Sequence, residues 1–240
     1  MGSLCRLLKD KVQLIPWDAR DEAHKRRMFD QRVACTWGSD EVELWSEKVI
    51  EGGKYLYWIE RTPLLDSATT LGKTTRQPTN TPFTPIGHIA LEGYPGRDER
   101  FNLPAGKTLW VKSLYISAAL QSSGLGRAAM AAIESEAAGA PHNCTVIALD
   151  TTSDAWQRSE RSLATFYDDR GLPRPKVVRT NEEWYRRQGY ALMDLPPVQE
   201  GKTWAREKGV NGELGFYIWV GPETGEEIRV PAVYMWKSIV

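Results

Sequence analysis

The chain of 240 residues predicts an α+β fold, α/β-like in its element order, and three observations carry that expectation. Strand-like and helix-like segments follow one another as β-α-α-β-β-β-α-β-α-β-β, with no internal repeat. A strand of strong β character, Thr108–Ser117, runs through a turn with two glycines into a helix, Leu125–Ala138, built almost wholly of good helix formers. Hydrophobic residues make up 41% of the chain, enough to bury the core of one domain with insertions.

Each element has its own signal. Val12–Trp17 is a short apolar run and reads as the first strand. Asp18 opens a helix toward Trp37, with Met28, Phe29, Val33 and Trp37 on one face at helical spacing, and Gly38 stops it. A second helix covers Glu41–Ile50 and ends at Gly52-Gly53. Lys54–Glu60 and Pro85–Glu92 are rich in aromatic and β-branched residues and read as strands. Between them, Arg61–Pro85 repeats Thr and Pro without periodicity and reads as a long exposed loop. An irregular stretch with Gly93, Pro95, Gly96, Pro104 and Gly106 leads to the Thr108 strand.

Beyond the Leu125 helix, Thr145–Asp150 is a buried strand. Asp154 caps a helix that places Trp156, Leu163, Phe166 and Tyr167 on one side and ends near Gly171. Thr180-Asn-Glu-Glu183 is a capping box, and Gly189 closes its helix with a left-handed stop. Strands follow at Tyr190–Leu195 and Val233–Ile239, separated by a long excursion, Pro196–Pro231, with a hairpin around Gly221–Gly225. A single domain over 1–240 is expected, with long loops at 61–85, 153–179 and 196–231.

Composition narrows the function. Lys plus Arg and Asp plus Glu number 31 each, so no net charge points to nucleic acid or an anionic membrane. Cys5, Cys35 and Cys144 are few and scattered, as are His24, His88 and His142, so neither a disulfide framework nor a metal cluster is expected. No apolar run approaches the roughly 20 residues of a membrane span, and no signal peptide is evident; the cytoplasm is the expected compartment.

Chemistry is concentrated in Leu114-Tyr-Ile-Ser-Ala-Ala-Leu-Gln-Ser-Ser-Gly-Leu-Gly-Arg127. Glycines let a backbone approach a phosphate closely, and the unpaired amides and dipole of a helix N-terminus favour negative charge. Ser122 and Ser123 add hydroxyl donors and Arg127 a cation. Two rival motifs compete with this reading. Gly124-x-Gly126-x-x-Ala129 matches a dinucleotide fingerprint, with Asp150 ending the next strand as a ribose partner. Against it, the loop comes after several strands, the turn is long and no run of βαβ units continues. Gly-Lys-Thr at Gly72, Gly106 and Gly201 lacks the upstream glycine of a P-loop, Ser67, Phe101 and Pro196 standing there instead.

Gln121-x-x-Gly124-x-Gly126 after an apolar strand resembles the pyrophosphate motif of the GNAT acetyltransferase superfamily. Trp184-Tyr185-Arg-Arg-Gln-Gly189-Tyr190 resembles that family's helix-to-strand signature, and the element order is similar over about residues 10–240. The resemblance implies a mixed central sheet flanked by helices. It also implies acetyl-CoA as acyl donor, its pantetheine arm beside the backbone of Leu114, Tyr115 and Ile116, and its pyrophosphate on the amides of Gln121, Ser122, Ser123, Gly124, Leu125, Gly126 and Arg127. An amine would attack the thioester directly, with amides near Tyr115 and Ile116 stabilising the oxyanion and Tyr185 protonating the leaving thiolate.

Three departures stand out. Trp110 occupies the position of the strand glutamate of histone-modifying members, so Glu92 and His88, four apart on one strand face, are the candidates to end a proton relay. The segment Thr151–Arg179 is longer than the usual link, and Asn181 is too close to Tyr185 to match the family's asparagine. The excursion Pro196–Pro231 has no counterpart. The expected activity is acetylation of a small-molecule amine by a monomer or homodimer without metal or nucleic acid, with acceptor choice in Trp37–Gly53, Arg61–Pro85 and Pro196–Pro231. The alternatives are a silent acyl-CoA-binding module, a protein N-acetyltransferase and, on the dinucleotide fingerprint alone, an NAD(P)-binding protein.

Overall fold

The computed structural model describes residues 12–35, 37–71, 74–194, 215–221 and 225–240. They fall into two compact units, divided within one strand. The first runs to Ile147, without Arg100–Asn102, and includes Ser238–Val240; the second comprises Arg100–Asn102 and Ala148–Lys237.

In the first unit, β1 (Leu14–Pro16), β2 (Lys54–Leu65), β5 (Pro82–Glu92) and β6 (Thr108–Ile116) form an antiparallel sheet in the order β1-β2-β5-β6. Its helices are α1 (Glu22–Cys35), α2 (Val42–Glu51), α3 (Pro95–Arg100) and α4 (Leu125–Ala138). The last has the predicted bounds and buries Ala128, Ala129, Met130, Ile133 and Ala137. Trp17, Met28, Trp45, Leu56, Trp58 and Ala90 form a cluster that joins α1 and α2 to the sheet.

Helix α1 corrects the sequence reading. Its predicted apolar face is largely solvated, with Phe29 42% and Val33 52% exposed. The face it buries is His24, Met28, Gln31 and Arg32, correctly spaced for a helix but mostly polar. Periodicity in hydrophobicity misses such a face because His24, Gln31 and Arg32 each find a bonding partner inside, although the Arg32 Nε does not. The His24 Nδ1 accepts from the Trp58 indole at 2.9 Å and from the Asp18 amide at 3.0 Å, and Gln31 donates to the Pro85 carbonyl at 3.2 Å.

The Thr/Pro segment is also more ordered than a loop. Strand β2 continues to Leu65 through irregular pairing with β5, and β3 (Thr70–Leu71) and β4 (Thr74–Thr75) make a small hairpin. The buried Asp66 carboxylate clamps it. Arg76 donates to its two oxygens at 2.6 and 2.8 Å, and the Thr79 amide and hydroxyl donate to one of them at 3.0 and 2.8 Å. The Arg76 bonds hold the Asp66 carboxyl at about 2. Helix α3 stands where an irregular stretch was expected.

The second unit holds β7 (Val146–Thr152, from Ala148 on), β10 (Glu227–Ser238, to Lys237) and β8 (Ala191–Met193), in that order, with β9 (Phe216–Val220) also antiparallel to β10. The β9–β10 hairpin lies where the glycines at 221 and 225 predicted one; Leu195 at the end of the predicted strand, and residues 196–214 and 222–224 of the excursion, lie outside the described residues. The predicted helix after β7 is two, α5 (Asp154–Gln157) and α6 (Glu160–Phe166). Ser153 caps the first by accepting from the Trp156 amide, and Ser159 caps the second by accepting from the Ser162 amide. These caps displace Asp154 from that role and break the helix at Arg158. Helix α7 (Asn181–Arg186) begins on the predicted Thr180–Glu183 capping box.

One residue sets the approach of β5 to β6. A Cβ built on Gly87 would lie 2.0 Å from the Tyr115 carbonyl oxygen and 3.1 Å from the Ile116 Cα. Both are backbone atoms and cannot rotate away. Gly87→Ala should therefore lower unfolding free energy by about 1–3 kcal/mol, the cost of forcing extra volume into a packed interior. Urea unfolding checks this, and an unchanged midpoint would show that the strands have slack.

Candidate active site

The candidate anion-binding surface is built by β6 and α4. Between them lie a 3-10 turn, Ala118–Leu120, and the residues Gln121–Gly124. Ser122 has φ 65 and Gly124 φ 85, so the chain turns through left-handed geometry that glycine adopts without a steric penalty. Gly124 is the N-cap of α4 and no side chain caps the helix. The first bond into its body is from the Ala128 amide to the Gly124 carbonyl, 3.1 Å, which leaves the amides of Leu125, Gly126 and Arg127 to point along the axis. Gln121, Ser122, Ser123, Gly124 and Arg127 are exposed.

The loop is held from within. Gln121 Nε2 donates to the Ile116 carbonyl at 3.0 Å, and Ser123 Oγ donates to the Leu120 carbonyl. Both side chains thus brace the turn, while the backbone amides and Arg127 form the anion-facing surface. An anion fits this cradle by the chemistry of its donors: a helix start of 14 residues with free amides, a positive dipole and no acid in the first turn.

Strand β6 carries a bulge that the sequence does not signal. Against β5, His88 pairs with Tyr115 but Ala90 pairs with Lys112, so the extra residue falls at Ser113–Leu114. Ser113 takes φ 57, a left-handed conformation uncommon outside glycine. A bulge bends its strand and re-aims the residues beyond it, here Leu114, Tyr115 and Ile116. Further along, the Ser117 amide donates to the Ile86 carbonyl at 2.8 Å. By antiparallel alternation, the Ile116 amide then points away from β5.

The predicted relay residues lie on the sheet face covered by α1 and α2. His88 and Glu92 do share that face, beside Trp58 and Lys54 of β2 and Tyr115 and Trp110 of β6. His88 is fully buried. Arg32 can only donate, so its Nη1, 3.4 Å away, makes His88 Nε2 the acceptor. His88 Nδ1 then carries the proton and donates to Gln31 Oε1 at 2.8 Å. The Tyr115 ring lies 5.5 Å from the imidazole. Burial, reinforced by the Arg32 and Lys54 charges, keeps His88 neutral well below its usual range.

Glu92 is bonded at both oxygens. Buried Lys54 donates to one, Lys48 donates to the other at 3.1 Å, and the Tyr94 hydroxyl donates there too, at 2.5 Å. Burial raises its carboxyl, but the two lysines outweigh burial and hold it at about 2. Trp110, in place of the strand glutamate, is buried and donates to Asp98 at 2.8 Å.

Tyr185 belongs to the second unit. It is buried, with the Trp184 ring at 4.8 Å and the Tyr190 ring at 5.7 Å. Burial, then the Asp150 charge, raises its phenol above the ordinary range. Among the described residues no group of three or more His, Cys, Asp or Glu is placed to hold a metal ion, and no helix is long and apolar enough to cross a membrane.

Sequence reasoning missed Gly87, Ser113, Gln31 and Arg32. A glycine inside a strand is a signal of close backbone approach, so Gly87 was findable. Nothing local distinguishes the other three.

A strand that bulges and then feeds a glycine turn at a helix start with free amides presents a surface whose donors suit an anion. Residues 43–163, more than half of the chain, match the model of the acetyltransferase (GNAT) family. The chain belongs to that family and is an acyl-CoA-dependent N-acetyltransferase. Comparison with curated proteins gives no match. Solved structures similar to it include an aminoglycoside 6'-N-acetyltransferase complexed with coenzyme A, 12% identical, covering 95% of this chain and 97% of that one with a TM-score of 0.49. The aminoglycoside 6'-N-acetyltransferase from Enterococcus faecium is also 12% identical, with the same coverages and a TM-score of 0.48. The spermidine/spermine N-acetyltransferase SpeG from Vibrio cholerae is 11% identical, covering 97% and 95%, with a TM-score of 0.46.

Acid should loosen the first unit. Between the ordinary carboxyl pKa of 4.5 and about 2, the unfolded chain takes up a proton at Glu92 that the folded one refuses, so stability falls with pH over that window. His88 adds the same sign below 6.5. Glu92→Gln removes the Glu92 contribution and leaves Lys54 buried without its anion, costing about 3–5 kcal/mol at neutral pH. Unfolding free energy against pH for both proteins checks this; parallel curves would place Glu92's charge outside the stability of the fold.

Proposed function

We propose that the protein transfers an acetyl group from acetyl-CoA to the amine of a small-molecule acceptor, in one ternary complex with no covalent enzyme intermediate. The observation that carries this reading is the uncapped start of α4 behind Gly124, a phosphate site at the end of the bulged strand. Amides of Leu125, Gly126 and Arg127, with Arg127's charge, hold the pyrophosphate. Leu114, Tyr115 and Ile116 lie along the pantetheine arm as an added strand would. Bound there, acetyl-CoA supplies an activated thioester carbonyl. The acceptor nitrogen forms a bond to that carbonyl carbon as its bond to sulfur breaks. The amide of Ile116, aimed away from β5, is the donor for the developing oxyanion.

The protons balance. The acceptor ammonium gives one to water before attack and a second afterwards, and the thiolate receives one from Tyr185, which water restores. Tyr185 stands on the family's tyrosine position, and a raised phenol pKa keeps it a donor at neutral pH. His88 and Glu92 are the proposed ends of the water relay. Both are weak proton acceptors, Glu92 because two lysines pair with it and His88 because burial and the Arg32 charge disfavour its protonation, so the relay delivers its proton to bulk water beyond them.

Saturating CoA should raise the melting temperature by mass action, and no shift from a folded sample at millimolar CoA would remove the donor assignment. Gly124→Val should abolish that shift while the protein stays folded, because a β-branched residue resists φ 85. Tyr185→Phe keeps the ring and should lower turnover by roughly 10²-fold with acetyl-CoA affinity nearly unchanged. Equal turnover, measured where chemistry limits the rate, would leave Tyr185 a packing residue.

A further inference from the structure

Arg32 has a partner set that its burial does not explain. It is 7% exposed, on the face of α1 that meets the sheet. One of its nitrogens, Nη1, is directed at His88, and the centre of the guanidinium lies 4.9 Å from the Trp45 ring. Its buried Nε has no hydrogen-bond partner. No ion pair satisfies it among the described residues. Lys54 on the same face has Glu92, and Arg76 has Asp66. Asp40 and Glu41 are near enough to act on its charge, but neither reaches ion-pair distance, and Glu41 instead accepts from the Trp45 indole at 3.1 Å. A buried cation without a bonded anion is costly.

The unused edge has a shape. Nε and Nη2 together are the side of a guanidinium that takes a carboxylate through two parallel bonds. Nη2 lies beside Gly38, where a built Cβ would come 3.4 Å from it and 3.3 Å from Glu41 Oε2, so Glu41 stands at the rim of this edge without bonding it, and the residues there, Trp37, Gly38 and Ser39, are half-buried rather than sealed. On the other side, Arg32 touches His88, and His88 faces Tyr115 of the donor strand. The His88 ring thus stands between Arg32 and Tyr115.

We propose that Arg32 is the specificity residue of the acceptor site and binds a carboxylate carried by the amine that is acetylated. This rests on the acetyltransferase reading above and names its acceptor class: amino acids and other amines with a carboxylate a few bonds from the nitrogen. A polycationic amine gains nothing from Arg32, which can only donate. Trp45 and His88 hold the guanidinium flat, so the fork is fixed before the ligand arrives.

The test uses the full chain with matched acceptors: glycine, β-alanine, γ-aminobutyrate and the common L-amino acids, each beside its carboxamide, with spermidine as the polycation. Free CoA thiol is followed, and product mass confirms N-acetylation. At least one carboxylate acceptor should exceed its carboxamide in kcat/KM by about 30-fold or more, the loss on leaving a buried charge pair half made. Arg32→Gln should erase that ratio, and Arg32→Lys, which keeps the charge but not the fork, should recover only part of it. Preference for carboxamides or spermidine, or a ratio unchanged in Arg32→Gln, overturns the proposal. Melting temperature titrated with CoA separates the two readings, since it reports donor binding whatever the acceptor. The same titration with β-alanine and β-alaninamide reads the Arg32 site without catalysis. Stabilisation by the acid alone, lost in Arg32→Gln, supports the site; equal response to both, or none, counts against it.

Discussion

Helix α1 is fastened to the sheet by a polar seam rather than by an apolar stripe, and much of the first unit depends on that seam. His88 is at its centre. Gln31 holds one ring nitrogen and Arg32 faces the other, while the Pro85 carbonyl fixes which end of the Gln31 amide meets the ring. Every one of these groups is buried, so each bond is made in a medium where an unmade one is expensive. The tautomer of His88 is consequently set by its neighbours. A second polar node, Lys54–Glu92–Lys48, fixes α2 to the same strand four residues on. Between the two nodes lie Ala90, Trp58 and Trp45, the apolar filling.

That arrangement explains where the sequence was legible. Local rules read well wherever structure was local: the α4 helix, the Thr180–Glu183 capping box and the β9–β10 hairpin come from propensity, capping and turn chemistry. The turn into α4 was legible because Gly124 and Gly126 mark a sharp turn at a helix start, and the structure has Gly124 left-handed at the N-cap of that helix. Helix α1 was readable as a helix but not in orientation. Phe29 and Val33 marked a face that the fold leaves in solvent, because the strand partners of His24, Gln31 and Arg32, namely Trp58, Pro85 and His88, lie more than thirty residues away. The bulge at Ser113 was invisible for a similar reason, since a register shift belongs to two strands and is written in neither alone. In the stretch after β7, Ser153 and Ser159 split one expected helix in two, a case where side-chain caps outweigh apolar spacing.

The loop before α4 and the seam under α1 are built in opposite ways. The loop relies on backbone: amides of a helix start, a left-handed glycine and a bent strand, with Gln121 and Ser123 acting as braces. Such a surface suits a charged group of any carrier and says little about what is carried. The seam relies on side chains drawn from α1, α2 and β5, each placed by a partner on another element.

The Asp66 clamp gives the segment between β2 and β5 a further property. A loop of Thr, Pro and Ser would ordinarily surrender about 1–2 kcal/mol of backbone entropy for each residue that a ligand immobilised. Here Arg76 and Thr79 are tied to one buried carboxylate, and the chain gave up that freedom when it folded. A molecule that settles against this segment meets a wall already standing, so its residence depends on how well the two shapes match and hardly at all on how much of the protein must be brought to rest.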